Sequence, residues 1–252
     1  MKKRLSNWVL SIIMVLAGCT FNAPTSRNET TSGTADSAAF QNIILRDSIV
    51  LLKYKTQSDT IVFPVVNPQF PELGKSLNPE AILGERLFKI KENYETCGCG
   101  YAFLSYRKTF SNSKIISLWF RTAFVGPYAS ETTIYQTLNI RTGLAYKLTD
   151  QLSEAGQKYV LSKYKDNLLK RLETDKLNHS EEDYQTAYNQ IKNNISQLKF
   201  GAINDNYIVE NNSVRVKTEP ILPHAVLAWE INRSMDFSLE ELKQFKKNNA
   251  SI

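Results

Sequence analysis

Histidine is nearly missing: the chain of 252 residues has two, His179 and His224. Cysteine is scarce as well, with only Cys19, Cys97 and Cys99. Two histidines far from a close cysteine pair make no recognised metal spacing, so no metal or other cofactor is expected. His179, just before a helix start, reads as solvated, and His224, inside an apolar stretch, as a satisfied, partly buried side chain. No Gly-x-Ser-x-Gly elbow, phosphate-cradling glycine loop or His-Glu-x-x-His is present. Two carboxylates can hydrolyse a glycoside, but no spacing singles out a pair among the 25 acidic residues. No internal repeat is evident.

A strong charge of one sign is also lacking. The formal charge is +6, and without Lys2, Lys3 and Arg4 the count is 28 basic residues against 25 acidic. That is too mild to argue for nucleic acid and leaves a weak pull toward anionic surfaces. Hydrophobic residues at 42% and charged residues at 22% are ordinary for a globular protein.

What is present begins at the N-terminus. Met1-Lys2-Lys3-Arg4, an apolar run from Trp8 to Leu16 and the small residues Ala17-Gly18 before Cys19 form a secretory signal. The run is shorter than the roughly 20 residues of a stable bilayer span. Leu16-Ala17-Gly18-Cys19 resembles the lipobox of bacterial lipoproteins, which implies cleavage before Cys19 and a diacylglycerol on its sulfur. Residues 1–18 are then the signal. Residues 19–41 are the lipidated cysteine and a flexible tether, because Thr, Ser, Asn, Ala and Gly dominate and cannot bury enough surface to order themselves. Residues 42–252 are the extracytoplasmic domain, long enough for one core or two small lobes. Thr20, where enterobacterial-type sorting uses Asp for retention at the inner membrane, favours the outer membrane facing the periplasm.

Apolar β-branched runs predict strands at Ser48–Tyr54 and Ile61–Val66, with Pro64 marking an edge or bulge. Asn67–Pro71 reads as a break. Asn78-Pro79-Glu80 predicts a helix start, with Leu83, Leu87 and Ile90 on one face. Alternation around Ala102–Tyr106, Ile116–Phe124 and Ile134–Ile140 predicts an antiparallel meander, closed by a tight turn at Arg141-Thr142-Gly143. Val160, Tyr164, Leu168 and Leu172, then Tyr184, Tyr188, Ile191 and Ile195, mark two helices, the second with a weak cap at Ser180 and Asp183. Strands return at Tyr207–Glu210, Val214–Thr218 and Val226–Ile231, and Ser238 to Glu241 is a capping box opening a last helix through Phe245. The fold class is α+β: an antiparallel sheet with a central meander and helices packed on it.

Cys97-Gly98-Cys99 is the most suggestive local motif. It admits a small structural disulfide, a pair of unbonded thiols, or a redox site, since a strained disulfide is more oxidising. Tyr101, Tyr106, Trp119, Tyr128 and Tyr135 crowd the meander, as sheet packing or as a stacking platform for sugar or peptide.

The order of segments resembles a known family. Pro68-Gln69-Phe70-Pro71 and the helix from Asn78, the Tyr106-Arg107-Lys108 strand, Asn139 to Gly143 with Lys147-Leu148-Thr149-Asp150, Pro223-His224-Ala225 and Ser238 to Leu242 carry the likeness. The family is the extracytoplasmic domain, without assigned function, of lysozyme-sensing anti-sigma factors, also found beside some peptidoglycan deacetylase domains. Relatives often carry Gly-Gly-Ala-His where this chain reads Gly126-Pro127-Tyr128-Ala129, so any role tied to that histidine does not carry over. The resemblance implies a non-catalytic domain binding peptidoglycan or a muramidase-type protein, with Tyr128 and His224 as candidate binding-surface residues and the lipid anchor as its contact with the membrane. The alternative is an envelope enzyme, either a thiol–disulfide exchanger through Cys97 and Cys99 or a cell-wall hydrolase whose site carries no recognised motif.

Overall fold

The computed structural model describes residues 42–127, 129–177, 179, 182–222 and 229–252. The fold class is α+β, as expected. A five-stranded sheet has the order β1-β2-β3-β4-β5 and a second sheet the order β6-β7-β8. Strands β1 (Ile44–Tyr54) and β2 (Gln57–Val66) form a hairpin in register from Tyr54↔Gln57 to Arg46↔Val65. β3 (Gly100–Ser111), β4 (Ile115–Val125) and β5 (Ser130–Asn139) form the antiparallel meander. The two parts meet where β2 runs parallel to β3 at Ile61↔Leu104.

A parallel pair needs a crossover of a dozen or more residues. Here it holds three short helices, α1 (Pro71–Ser76), α2 (Pro79–Leu83) and α3 (Leu87–Cys97). The expected break at Asn67–Pro71 is half right, because Pro71 opens a helix at its first position, where its missing N–H is no loss. Asn78 caps α2 through a 2.8 Å hydrogen bond from the Ala81 N–H. The single helix expected from Asn78 through Ile90 is two. Gly84 takes the left-handed conformation at φ 71° and ends α2, and Arg86, with extended backbone, is the N-cap from which α3 starts. Pro64 lies in an inner strand rather than at an edge, and it is buried.

α4 (Leu148–Gln151) leads into α5 (Glu154–Lys176), then α6 (Glu182–Gln197) and α7 (Gly201–Asn204). The apolar stripes of α5 and α6 are buried as their period requires, from Val160 through Leu172 and from Tyr184 through Ile195. Each such side chain contributes about 1.5–3 kcal/mol. The expected cap at Ser180 lies outside the described residues, as does the side chain of Asp183. The second sheet is β6 (Tyr207–Val209), β7 (Ser213–Val216) and β8 (Met235–Ser238). The third strand expected at Val226–Ile231 is therefore displaced. Residues 223–228 lie outside the described residues, 229–231 are not strand, and Met235 and Phe237 supply the inward face. Ser238 closes the expected capping box on α8 (Leu239–Leu242), and a 3-10 turn ends at Phe245.

Ile115 and Ile116 belong to different buried clusters, so the meander carries a core on both faces. One face packs with α1–α3 through Leu73, Ile90, Leu104 and Phe120. The other joins α5, α6 and the second sheet through Tyr164, Ile191, Val209 and Phe237. Three hydroxyls dock β6 on the meander. Thr109 donates to the Val209 carbonyl at 2.7 Å, Thr137 donates to the Tyr207 carbonyl at 2.9 Å, and Ser117 accepts from the Val209 N–H at 3.2 Å.

Candidate functional site

The crossover helices and the start of β3 enclose an open groove of about 770 Å³, lined by Glu80, Leu83, Gly84, Glu85, Arg86, Lys89 and Tyr101. The groove exists because α2 stops at Gly84. A helix continuing through that point would fill the corner that Glu85 and Arg86 turn. Glu80 faces Arg86 at 3.5 Å, and the Asn93 amide donates to Glu85 at 3.1 Å. Lys89 adds a cation on α3. Tyr101 brings an aromatic face, held edge-on against Phe124 with ring centroids 5.5 Å apart. Phe124 and Val125, at the end of β4, are partly exposed beside it. The lining thus offers an apolar and aromatic wall with charged groups of both signs, suited to stacking and polar contact.

Of the residues singled out in the sequence, Cys97 and Cys99 are bonded to each other, with Cα atoms 5.2 Å apart. Cys97 is the last residue of α3, and Cys99 lies two residues before Tyr101. Cys19, Tyr128 and His224 lie outside the described residues. His179 is not simply solvated, because its ring stacks on Tyr184 at 4.3 Å and approaches Asp175 at 3.9 Å. Among the described residues no cluster of His, Cys, Asp and Glu could hold a metal ion, and no helix is long and apolar enough to cross a membrane.

A second concentration of charge sits where the small sheet meets β3. Arg215 makes a bidentate pair with Asp236 at 2.6 and 3.1 Å and also reaches Glu210 at 3.2 Å. The Asp236 carboxylate, chiefly, holds the Arg215 guanidinium in its charged form. Arg107 reaches Glu210 at 3.1 Å and lies 4.8 Å over the Trp119 ring. These groups satisfy one another across β3, β4, β7 and β8, so the seam reads as a clamp between sheets. Burial first, then Arg233, pushes the nearby Lys217 amine down.

The sequence matches no protein-family model. No curated protein matches it either. Among solved structures the chain is similar to a DUF3298 family protein from Pseudomonas aeruginosa PAO1, at 13% identity over 81% of this chain and 93% of that one, with a TM-score of 0.47. It is also similar to a member of the DUF3298 family from Bacteroides fragilis, at 12% identity over 82% and 96% of the two chains, with a TM-score of 0.43.

Proposed function

We propose that this chain is a lipid-anchored envelope protein whose domain binds a cell-wall component or a wall-acting protein of the muramidase type, and does not itself catalyse. The domain comprises residues 42–252, carried on Cys19 by the segment 19–41. The observation that carries the binding reading is the groove lining: the Tyr101 face beside the paired charges of Glu80 and Arg86, with Lys89 free to meet an acidic group. A glycan strand with peptide stems presents apolar sugar faces, hydroxyls and carboxylates, and that lining answers each. The Leu16-Ala17-Gly18-Cys19 tract supports the location, which is the outer membrane facing the periplasm.

The two carboxylates Glu80 and Glu85 in one groove favour a second reading, a cell-wall hydrolase, since glycosidases act with such a pair. One experiment separates the two. The full chain is incubated with purified peptidoglycan and with a lysozyme-type muramidase, and both co-sedimentation and release of soluble fragments are followed. Binding without release, weakened about tenfold by Tyr101→Ala, is the expected result. Fragment release abolished by Glu80→Gln or Glu85→Gln makes the protein a hydrolase, and no binding to either probe overturns the proposal. Cys19→Ala should move the protein out of the membrane fraction, and retention there would remove the anchor.

A further inference from the structure

β1 is the free edge of the large sheet. Ten of its eleven residues pair with β2 on one side, and among the described residues no strand pairs with the other. An open edge of this length is a template for another strand, and proteins ordinarily block it with charges, prolines or bulges. β1 has no proline, its irregularity is confined to Ile44–Arg46, and it exposes Leu45 by 51%, Ile49 by 67% and Leu51 by 46%. Three apolar side chains alternate along one exposed face, interrupted only by Asp47 and ended by Lys53.

We infer that β1 is the surface through which two copies of this chain pair, antiparallel and edge to edge, with Val50 on the two-fold axis. In an antiparallel ladder each residue turns both its N–H and its C=O to the same side, and successive residues alternate. Only an axis that passes through a residue brings outward-facing amides against outward-facing amides. An axis between residues sets them against inward-facing ones. This leaves a handful of registers, and the side chains choose among them. With the axis at Val50, Ile49 faces the partner's Leu51 and Asp47 faces the partner's Lys53, each twice by symmetry. Arg46 meets the partner's Tyr54, a cation over an aromatic ring. An axis at Ile49 sets Asp47 against the partner's Leu51 and Leu45 against the partner's Lys53. An axis at Leu51 sets Ile49 against the partner's Lys53, and one at Asp47 opposes two like charges.

The charges that would block a foreign strand therefore neutralise one another in this one self-pairing. The Asp47 carboxylate accepts the Tyr106 hydroxyl from β3 through Oδ1, so Oδ2 is the oxygen that meets the partner's Lys53. The two-fold also puts the exposed faces of the two strands on the same side, so both copies of Ile49 and Leu51 close into one apolar patch flanked by two ion pairs. An isologous contact of this kind closes on itself and does not propagate into a fibre.

The test uses the full chain in membranes and in detergent. Val50→Cys should cross-link to its own copy on mild oxidation, because facing residues lie within disulfide reach. Leu45→Cys should not, since its copy lies about ten residues away along the paired strands, roughly 33 Å. Sedimentation equilibrium should show a wild-type dimer. Lys53→Asp should weaken it by about tenfold or more through two like-charge contacts, and Asp47→Lys/Lys53→Asp should restore it. A monomeric wild type, stronger cross-linking through Leu45→Cys than through Val50→Cys, or a double variant no better than Lys53→Asp would each overturn the pairing.

Discussion

Alanine at Gly143 should destabilise the protein by about 2–4 kcal/mol, whereas alanine at Gly84 should cost about 1 kcal/mol or less. The backbone conformation is nearly the same at both, with φ of 68° and 71°. Placing an L-side chain in that region costs about 1–2 kcal/mol, and stiffening the unfolded chain returns about 0.4–1. Space separates the two sites. A Cβ at Gly84 meets nothing within 4 Å, whereas one at Gly143 would lie 2.4 Å from the Glu72 carbonyl oxygen and 2.7 Å from its carbon. That oxygen is backbone in α1 and cannot rotate away. The turn cannot retreat easily either, because Asn139 accepts from the Arg141 and Thr142 amides at 2.9 and 3.0 Å and from the Gly143 N–H at 2.9 Å. Overpacking of this kind adds about 1–3 kcal/mol. Urea unfolding of the two variants, followed by circular dichroism, gives both midpoints and slopes. Equal losses would refute the reasoning, since they would mean that only backbone conformation matters and that the turn does not press on α1.

Ser117→Ala should cost about 1–3 kcal/mol in the same assay, because it strands the buried Val209 N–H without an acceptor. A neutral result would mean that the hydroxyls do not dock β6. Burial, then the hydrogen bond to Asp59, pushes the Tyr94 phenol up to about 12. An unfolded tyrosine ionises near 10, so stability is full below about pH 10 and falls as pH rises toward 12. Tyr94→Phe should make that alkaline fall shallower, and an unchanged slope would show that Tyr94 does not couple to folding. Cys97→Ser/Cys99→Ser should lose no more than about 1.6 kcal/mol, since the bond closes only a three-residue loop. A much larger loss would give the disulfide a packing role beyond chain closure.

Periodicity carried most of the fold. The meander and the stripes of α5 and α6 are local signals that tertiary packing reinforces, because each sets one face toward a core. The errors fall where two signals compete. Leu83, Leu87 and Ile90 keep helical spacing across Gly84, so the stripe reads as continuous although the glycine was a stop signal in plain view. Val226–Ile231 is the more apolar run, yet Met235-Asp236-Phe237-Ser238 has the alternation of a strand buried on one face and paired through Asp236 with Arg215 on the other. The parallel contact of Ile61 with Leu104 has no local signature at all, because its register is set by the helices packed between the strands. The same holds for the hydroxyls of Thr109, Ser117 and Thr137, which look like ordinary strand residues until β6 arrives against them.

The candidate site was legible only in fragments, since Glu80 appeared as a helix-start acid and Tyr101 as one aromatic among several. Their meeting depends on the corner at Gly84, which no spacing rule encodes. The cysteine motif shows the opposite case, in which the sequence named the residues and the structure supplies the chemistry. A nucleophilic thiol is favoured at a helix N-terminus, where the dipole stabilises the thiolate. Cys97 is the last residue of α3, at the negative end of that dipole, so its thiolate would be disfavoured there. Thiol–disulfide exchange would need a cation close enough to outweigh that end of the helix. The charged side chain two residues before Cys97 is Glu95, which pairs with Lys91 at 3.8 Å and so draws the neighbouring cation toward itself. Chemistry at Cys97 and Cys99 is thus opposed by both the backbone and the local charge.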